Sequence, residues 1–205
     1  MIRVITQELK RHAPFTMMGT LTGVAIMMVI ILTGASPSVS RALFWVFHPL
    51  HVLLSALVTS AMYVLHGKRS WVRLVLIGYL GSVGIATLSD SIMPYVGECL
   101  LGMPNRGVHL GFIEKWWLVN PLALAGIAIA SRLPRTKIPH AGHVLLSTWA
   151  SLFHITMALG TDVDVGTIVL SAAFLFLAVW LPCCTSDIVF PLLVAGAQKE
   201  KARAT

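Results

Sequence analysis

Six stretches of this sequence, near residues 14–35, 43–65, 72–97, 116–132, 140–160 and 165–196, are apolar over lengths that suit a lipid bilayer. Crossing roughly 30 Å of hydrocarbon at about 1.5 Å per residue takes about 20 residues of α-helix. The fourth run is the shortest, while the third and sixth are long enough to tilt or to carry a break at proline. The sequence therefore predicts an all-α integral membrane protein of six transmembrane helices. With 57% of its 205 residues hydrophobic and 11% charged, the chain has too few charges to cover a water-facing surface of that size. Its first partner is the lipid bilayer.

The net charge of +7 would point to nucleic acid only if the basic residues shared one face or stripe. Instead they sit in short loops between the apolar runs, so no nucleic-acid partner is expected. Arg3, Lys10, Arg11, Lys68, Arg69, Arg73, Arg132, Arg135, Lys137, Lys199, Lys201 and Arg203 fall on one side of a six-crossing arrangement. Arg41, Arg106 and Lys115 fall on the other. Lys and Arg near span ends are retained in the cytoplasm. The expected location is the plasma (inner) membrane with both termini cytoplasmic, which requires an even number of crossings. The first run shows no small-residue cleavage site and reads as a retained helix. Three cysteines, two of them adjacent, do not form a disulfide framework.

An internal repeat adds organisation. HPLHVLLS at His48–Ser55 recurs as HAGHVLLS at His140–Ser147, an offset of 92 with six of eight positions identical. Downstream, Ser89, Asp90 and Pro94 recur in the same order as Ser186, Asp187 and Pro191. Paired histidines and a serine–aspartate step are rare inside apolar runs, so the match reads as duplication. Each unit holds three runs, and an odd number of crossings inverts the second copy. The division is a first three-helix repeat over 1–98, an extracytoplasmic loop over 99–115, an inverted repeat over 116–198 and a basic tail over 199–205. The inversion predicts that His48, His51 and Asp90 face outward while His140, His143 and Asp187 face inward.

Histidines three apart share a helix face and can converge on one ion, with a carboxylate from a neighbouring helix completing the set. Cys183 and Cys184 lie four and three residues before Asp187, and a His, Cys and Asp mixture suits zinc or another transition metal. Ser89 and Ser186 would stand behind the ligands as oxygen donors. The plainer alternative is structural: a histidine that bonds a carbonyl, an aspartate that pairs with it, and cysteines that pack as small hydrophobes. An aspartate inside a span costs about 2.5–3.5 kcal/mol on insertion scales, which makes it a functional candidate by default.

These residues point first to a permease or secondary transporter for a divalent transition-metal cation. A haem-binding electron-transfer protein is the second reading, with His51 and His154 or His66 and His143 as axial pairs. An intramembrane metalloenzyme is the third, although no HExxH motif occurs. Transport is preferred to catalysis, and a homodimer would thicken the wall that six small helices put around a path. Glu98 and Glu114 bound the longest outer loop, with His109 between; gathering cations at an entrance is one reading of them, and simple solvation is the preferred one. The glycines at 19, 23, 78, 81 and 84 read as helix-packing positions.

Overall fold

The computed structural model of the chain describes residues 2–66, 70–134, 137–160, 163–184 and 190, without the side chains of 2–9, 11–12, 66, 137–140 and 184. Seven helices run through the described residues. They are α1 (Ile2–Thr33), α2 (Pro37–His66), α3 (Trp71–Leu100), the short α4 (Gly111–Glu114), α5 (Trp116–Arg132), α6 (Lys137–Ala158) and α7 (Val165–Cys184).

Two of these helices stop at a glycine in the left-handed region. Gly34 (φ 62°) follows α1, and Gly102 (φ 65°) follows α3. At each, the glycine N–H and the next amide reach back to carbonyls of the last turn: Gly34 to Ile31 and Ala35 to Ile30, Gly102 to Cys99 and Met103 to Glu98. Such a cap satisfies carbonyls that a helix end would orphan, and glycine adopts the conformation without Cβ strain. The turn at Gly102 sends the following loop back over the end of α3.

Polarity runs from the inside outward. Leu21, Leu32, Val72, Leu80, Leu124 and Val165 are exposed, while His48, His51, Ser55, Thr59, Asp90, His143, Ser147, Ser151 and His154 are buried. In water this arrangement would leave large apolar surface unburied. Against lipid tails it costs nothing, because lipid is as apolar as leucine. Among the described residues, four helical segments are long and apolar enough to cross a membrane: Ala13–Thr33, Pro37–Leu65, Trp71–Leu100 and Val165–Cys183. The exposed Trp71, Trp116 and Trp117 open α3 and α5, in keeping with an interfacial role.

The fourth and fifth apolar runs are also helical, but neither reaches that standard. The first of them, α5, has 17 residues. The second, α6, has 22 and carries His143, Ser147, Thr148, Ser151, His154 and Thr156 on buried positions. It is surrounded by α1, α2, α3 and α7. A helix shielded by others need not be apolar itself, which is why hydropathy sees it poorly.

Small residues set the closest approaches. A Cβ on Gly19 of α1 would lie 2.9 Å from Thr148 Oγ1 of α6, and one on Gly126 of α5 would lie 2.5 Å from the Leu53 carbonyl and 2.9 Å from Ala56 Cβ of α2. Gly78 of α3 abuts Ser60 of α2, and Gly81 would bring a Cβ to 2.7 Å from Thr59. Gly84 faces open space and packs against nothing.

Candidate metal centre

Asp90 sits on a π-helical stretch of α3, Leu88–Ile92, that also carries Ser89 and Ser91. Four residues on, Pro94 has no N–H to return to the Asp90 carbonyl. A second π stretch, Leu80–Gly84, precedes it. Such widened turns concentrate at functional positions. In α2, Pro49 lies between His48 and His51 and likewise has no donor for the Trp45 carbonyl.

Four donors converge on the Asp90 carboxylate. His48 Nδ1 lies 3.0 Å and His51 Nδ1 2.6 Å from Oδ2. Ser89 Oγ donates to Oδ1 at 2.7 Å and Ser147 Oγ at 2.9 Å. All five side chains are buried, so the acidic group is compensated entirely by protein, as a carboxylate without water must be. Ser151 Oγ donates to the Ser89 carbonyl at 3.0 Å and ties α6 to the same turn.

An Nδ1–H that donates to a carboxylate fixes the histidine tautomer and leaves the Nε2 lone pair to act as a base or ligand. Among the described residues, His51 Nε2 has no hydrogen-bond partner although it is buried. The His51 ring stacks on His143 of α6 with centroids 5.1 Å apart. Cys183 of α7 completes the group: one ligand atom from each of His51, His143 and Cys183 lies within 4.8 Å of the others, and all three are buried. The Cys183 thiol also donates to Ser147 Oγ at 3.4 Å. This group can hold a metal ion, and its two imidazoles and one thiol suit zinc, cobalt, nickel or copper better than magnesium or calcium. Zn–N and Zn–S bonds of about 2.0–2.3 Å would draw the three atoms somewhat closer together.

One member of each set expected from the repeat, His51 of the outward and His143 of the inward, thus meets the other in one place, because both histidines lie within helices that pack directly on each other. His51 is near the middle of the 30-residue α2, whose helix starts at Pro37, six residues before the apolar run suggests. His48 and Asp90 stand behind His51. The Nε2 edge of His48 faces Gly111, where a side chain would collide with the ring, and its ring stacks on Phe44 at 5.2 Å. Ser186 and Asp187 lie outside the described residues, as do the side chains of His140 and Cys184.

Glu98 corrects the sequence reading. It is 1% exposed instead of solvated, because the turn at Gly102 folds the following loop over it. Its Oε1 lies 2.7 Å from His154 Nδ1, and its Oε2 accepts the Gly107 N–H at 3.3 Å. The pair has no counterpart in the repeat. A signal for it was nonetheless present: His143, Ser147, Ser151 and His154 recur at helical spacing and form a polar stripe on α6. His109 and Glu114 remain partly exposed and meet each other at 3.3 Å.

Comparison with protein-family models, with curated proteins and with solved structures gives no match.

Proposed function

We propose that this chain is an inner-membrane permease that moves a divalent transition-metal cation, and that the ion passes through His51, His143 and Cys183. The observation that carries the reading is the buried relay Asp90–His51 with Nε2 aimed at a second imidazole and a thiol. A carboxylate behind a ligating histidine orients the ring and raises its basicity, a recurrent device of metal sites. Three protein ligands leave a fourth position open. A transported ion needs such a site, since a closed four-ligand cage would retain it.

Six crossings in two inverted halves are part of the same proposal. His51 and His143 are equivalent under the offset of 92 and stack on each other. Residue 148 is 56 + 92, and Gly19 meets Thr148 where Gly126 meets Ala56. The first helix of each half therefore approaches the second helix of the other through a glycine. Sites at the interface of inverted halves are common in transporters, where the halves rock about a fixed point. The distribution of loop charges supports a cytoplasmic position for both termini.

A metalloenzyme is the second reading, favoured by the same open position. Against it, Asp90 and Glu98, the two buried carboxylates described, are committed to histidines and are not placed as general bases. Haem ligation through His51 and His154 would take His154 Nε2 from the Ser91 hydroxyl, 3.4 Å away.

The test is cobalt loading of the purified protein in detergent. Near-stoichiometric Co²⁺ with a thiolate-to-metal absorption band is expected, the band disappearing in Cys183→Ser and the metal in His51→Ala with His143→Ala. Reconstituted protein should then admit Zn²⁺ to liposomes containing a zinc-sensitive dye. Wild-type protein that binds no cobalt, or a band that survives Cys183→Ser, would refute the metal assignment.

A further inference from the structure

The buried pair of Glu98 and His154 is not used by the metal site. Both side chains are 1% exposed and their atoms meet at 2.7 Å. Removing an unpaired carboxylate from water is costly, and so is leaving one inside a membrane span. A structural role alone would be served as well by an apolar pair. His154 has a third neighbour: its Nε2 lies 3.4 Å from Ser91 Oγ, and Ser91 Oγ accepts the His109 N–H at 3.0 Å. Ser91 is the residue after Asp90 on the same π-helical stretch.

We propose that Glu98 and His154 form a proton-binding site, loaded from the aqueous side of the loop that carries His109, and that its occupancy couples proton flow to passage of the metal. The proposal rests on the permease reading above. In the empty state the neutral His154 donates Nδ1–H to the Glu98 carboxylate and accepts the Ser91 O–H at Nε2. A proton taken from water binds Nε2; the hydroxyl turns and accepts where it had donated, as only a hydroxyl can. The pair then changes from one negative charge to none, an imidazolium beside a carboxylate. Release returns the proton to water on the other side, and no other co-reactant is needed.

A metal fits this pair poorly. The His109 ring turns to Glu114, so the pair offers two ligand groups where zinc sites take three or more from protein. A nucleophilic serine fits poorly too, since Ser91 is wholly buried and its oxygen already accepts an amide. Partly exposed groups stand on the loop side of the pair. The loop presents His109, whose ring centroid is 5.4 Å from that of His154 and whose Nδ1 meets Glu114, and Arg106, whose charge acts on Tyr95. The other titratable groups on this end of α3 are Tyr95 and Cys99. From α2 comes Phe44, and α7 meets this end of α3 through Phe174 at Gly97. Two short links run from the pair to the metal site. One is the Asp90–Ser91 peptide, and the other is the Phe44 ring, 5.4 Å from His154 and 5.2 Å from His48.

The deciding experiment measures zinc flux into dye-loaded liposomes with and without an imposed pH gradient, for wild type, Glu98→Gln and Ser91→Ala, alongside the zinc content of each purified protein. We expect wild-type flux to respond to the gradient and Glu98→Gln to lose that response while binding the same zinc. Ser91→Ala, which keeps the buried pair, should also lose it and decides the matter if Glu98→Gln does not fold. Zinc-bound wild type whose flux ignores the gradient, or variants that respond as wild type does, would overturn the proton site and leave the metal site standing. Wild type without bound zinc would overturn the permease reading and the coupling with it.

Discussion

The imidazole rings of His51 and His143, ninety-two positions apart in the chain, stack with their centroids 5.1 Å apart in the interior of the protein. Two like bases in van der Waals contact gain little from each other. Their placement gains meaning from what surrounds them: a carboxylate holding one ring at Nδ1 and a thiol within reach of both.

Asp90→Asn tests that support. An amide oxygen can still accept from both histidines, but its NH₂ then faces the Ser89 and Ser147 hydroxyls, so two of the four hydrogen bonds to residue 90 are lost or reversed. Cobalt affinity should fall by about 10- to 100-fold, the usual cost of removing a partner behind a ligating histidine. Equilibrium dialysis against Co²⁺ measures it, and unchanged affinity would detach Asp90 from the metal site.

Gly111→Ala probes the far edge of His48. A Cβ at that position collides with the imidazole, so a loss of about 1–3 kcal/mol is expected from overpacking. Gly84→Ala is its control, because nothing lies within 4 Å of a Cβ there, and should stay within about 0.5 kcal/mol of wild type. Thermal unfolding in detergent reads both.

At the helix contacts, Gly126→Ala should be more damaging than Gly19→Ala. The added methyl on residue 126 meets a backbone carbonyl and a neighbouring Cβ, neither of which can turn aside. On residue 19 it meets the Thr148 side chain, which has other rotamers. Equal melting temperatures for the two variants would contradict this ranking.

Asp164 governs an acid-dependent term at the start of α7. Its carboxylate accepts the Thr167 N–H at 2.8 Å and the Thr167 hydroxyl at 3.1 Å. These bonds, the backbone one first, hold its pKa below the ordinary carboxylate value. A depressed folded-state pKa contributes stability that is present above the unfolded value and lost as pH falls. The melting difference between wild type and Asp164→Ala should therefore be full near neutrality and shrink on acidification below about pH 4. A difference independent of pH would mean that the charge plays no part in the cap.

The apolar runs marked the helices, and repetition singled out His48, His51 and Asp90, which meet in the interior. Three things were hidden. Hydropathy scores what a helix offers to lipid, and α6 offers little because its neighbours cover it, so its polar stripe reads as a weakness of the span. Glu98 looked like a loop acid because it sits at the end of an apolar run. Only the left-handed turn at Gly102 reveals that the loop doubles back over it. The meeting of His51 with His143 was likewise unreadable from depth along each helix, since it depends on which helices pack directly.

The enclosure of α6 also bears on how the protein is made. A segment with three histidines and a row of hydroxyls partitions poorly into lipid by itself. In order of synthesis, α1, α2 and α3 emerge before it, and these are three of the four helices that surround it. By the time α6 leaves the ribosome, a polar berth lined by His51, Asp90 and Glu98 can already stand in the bilayer to receive it, with only α7 left to close the wall.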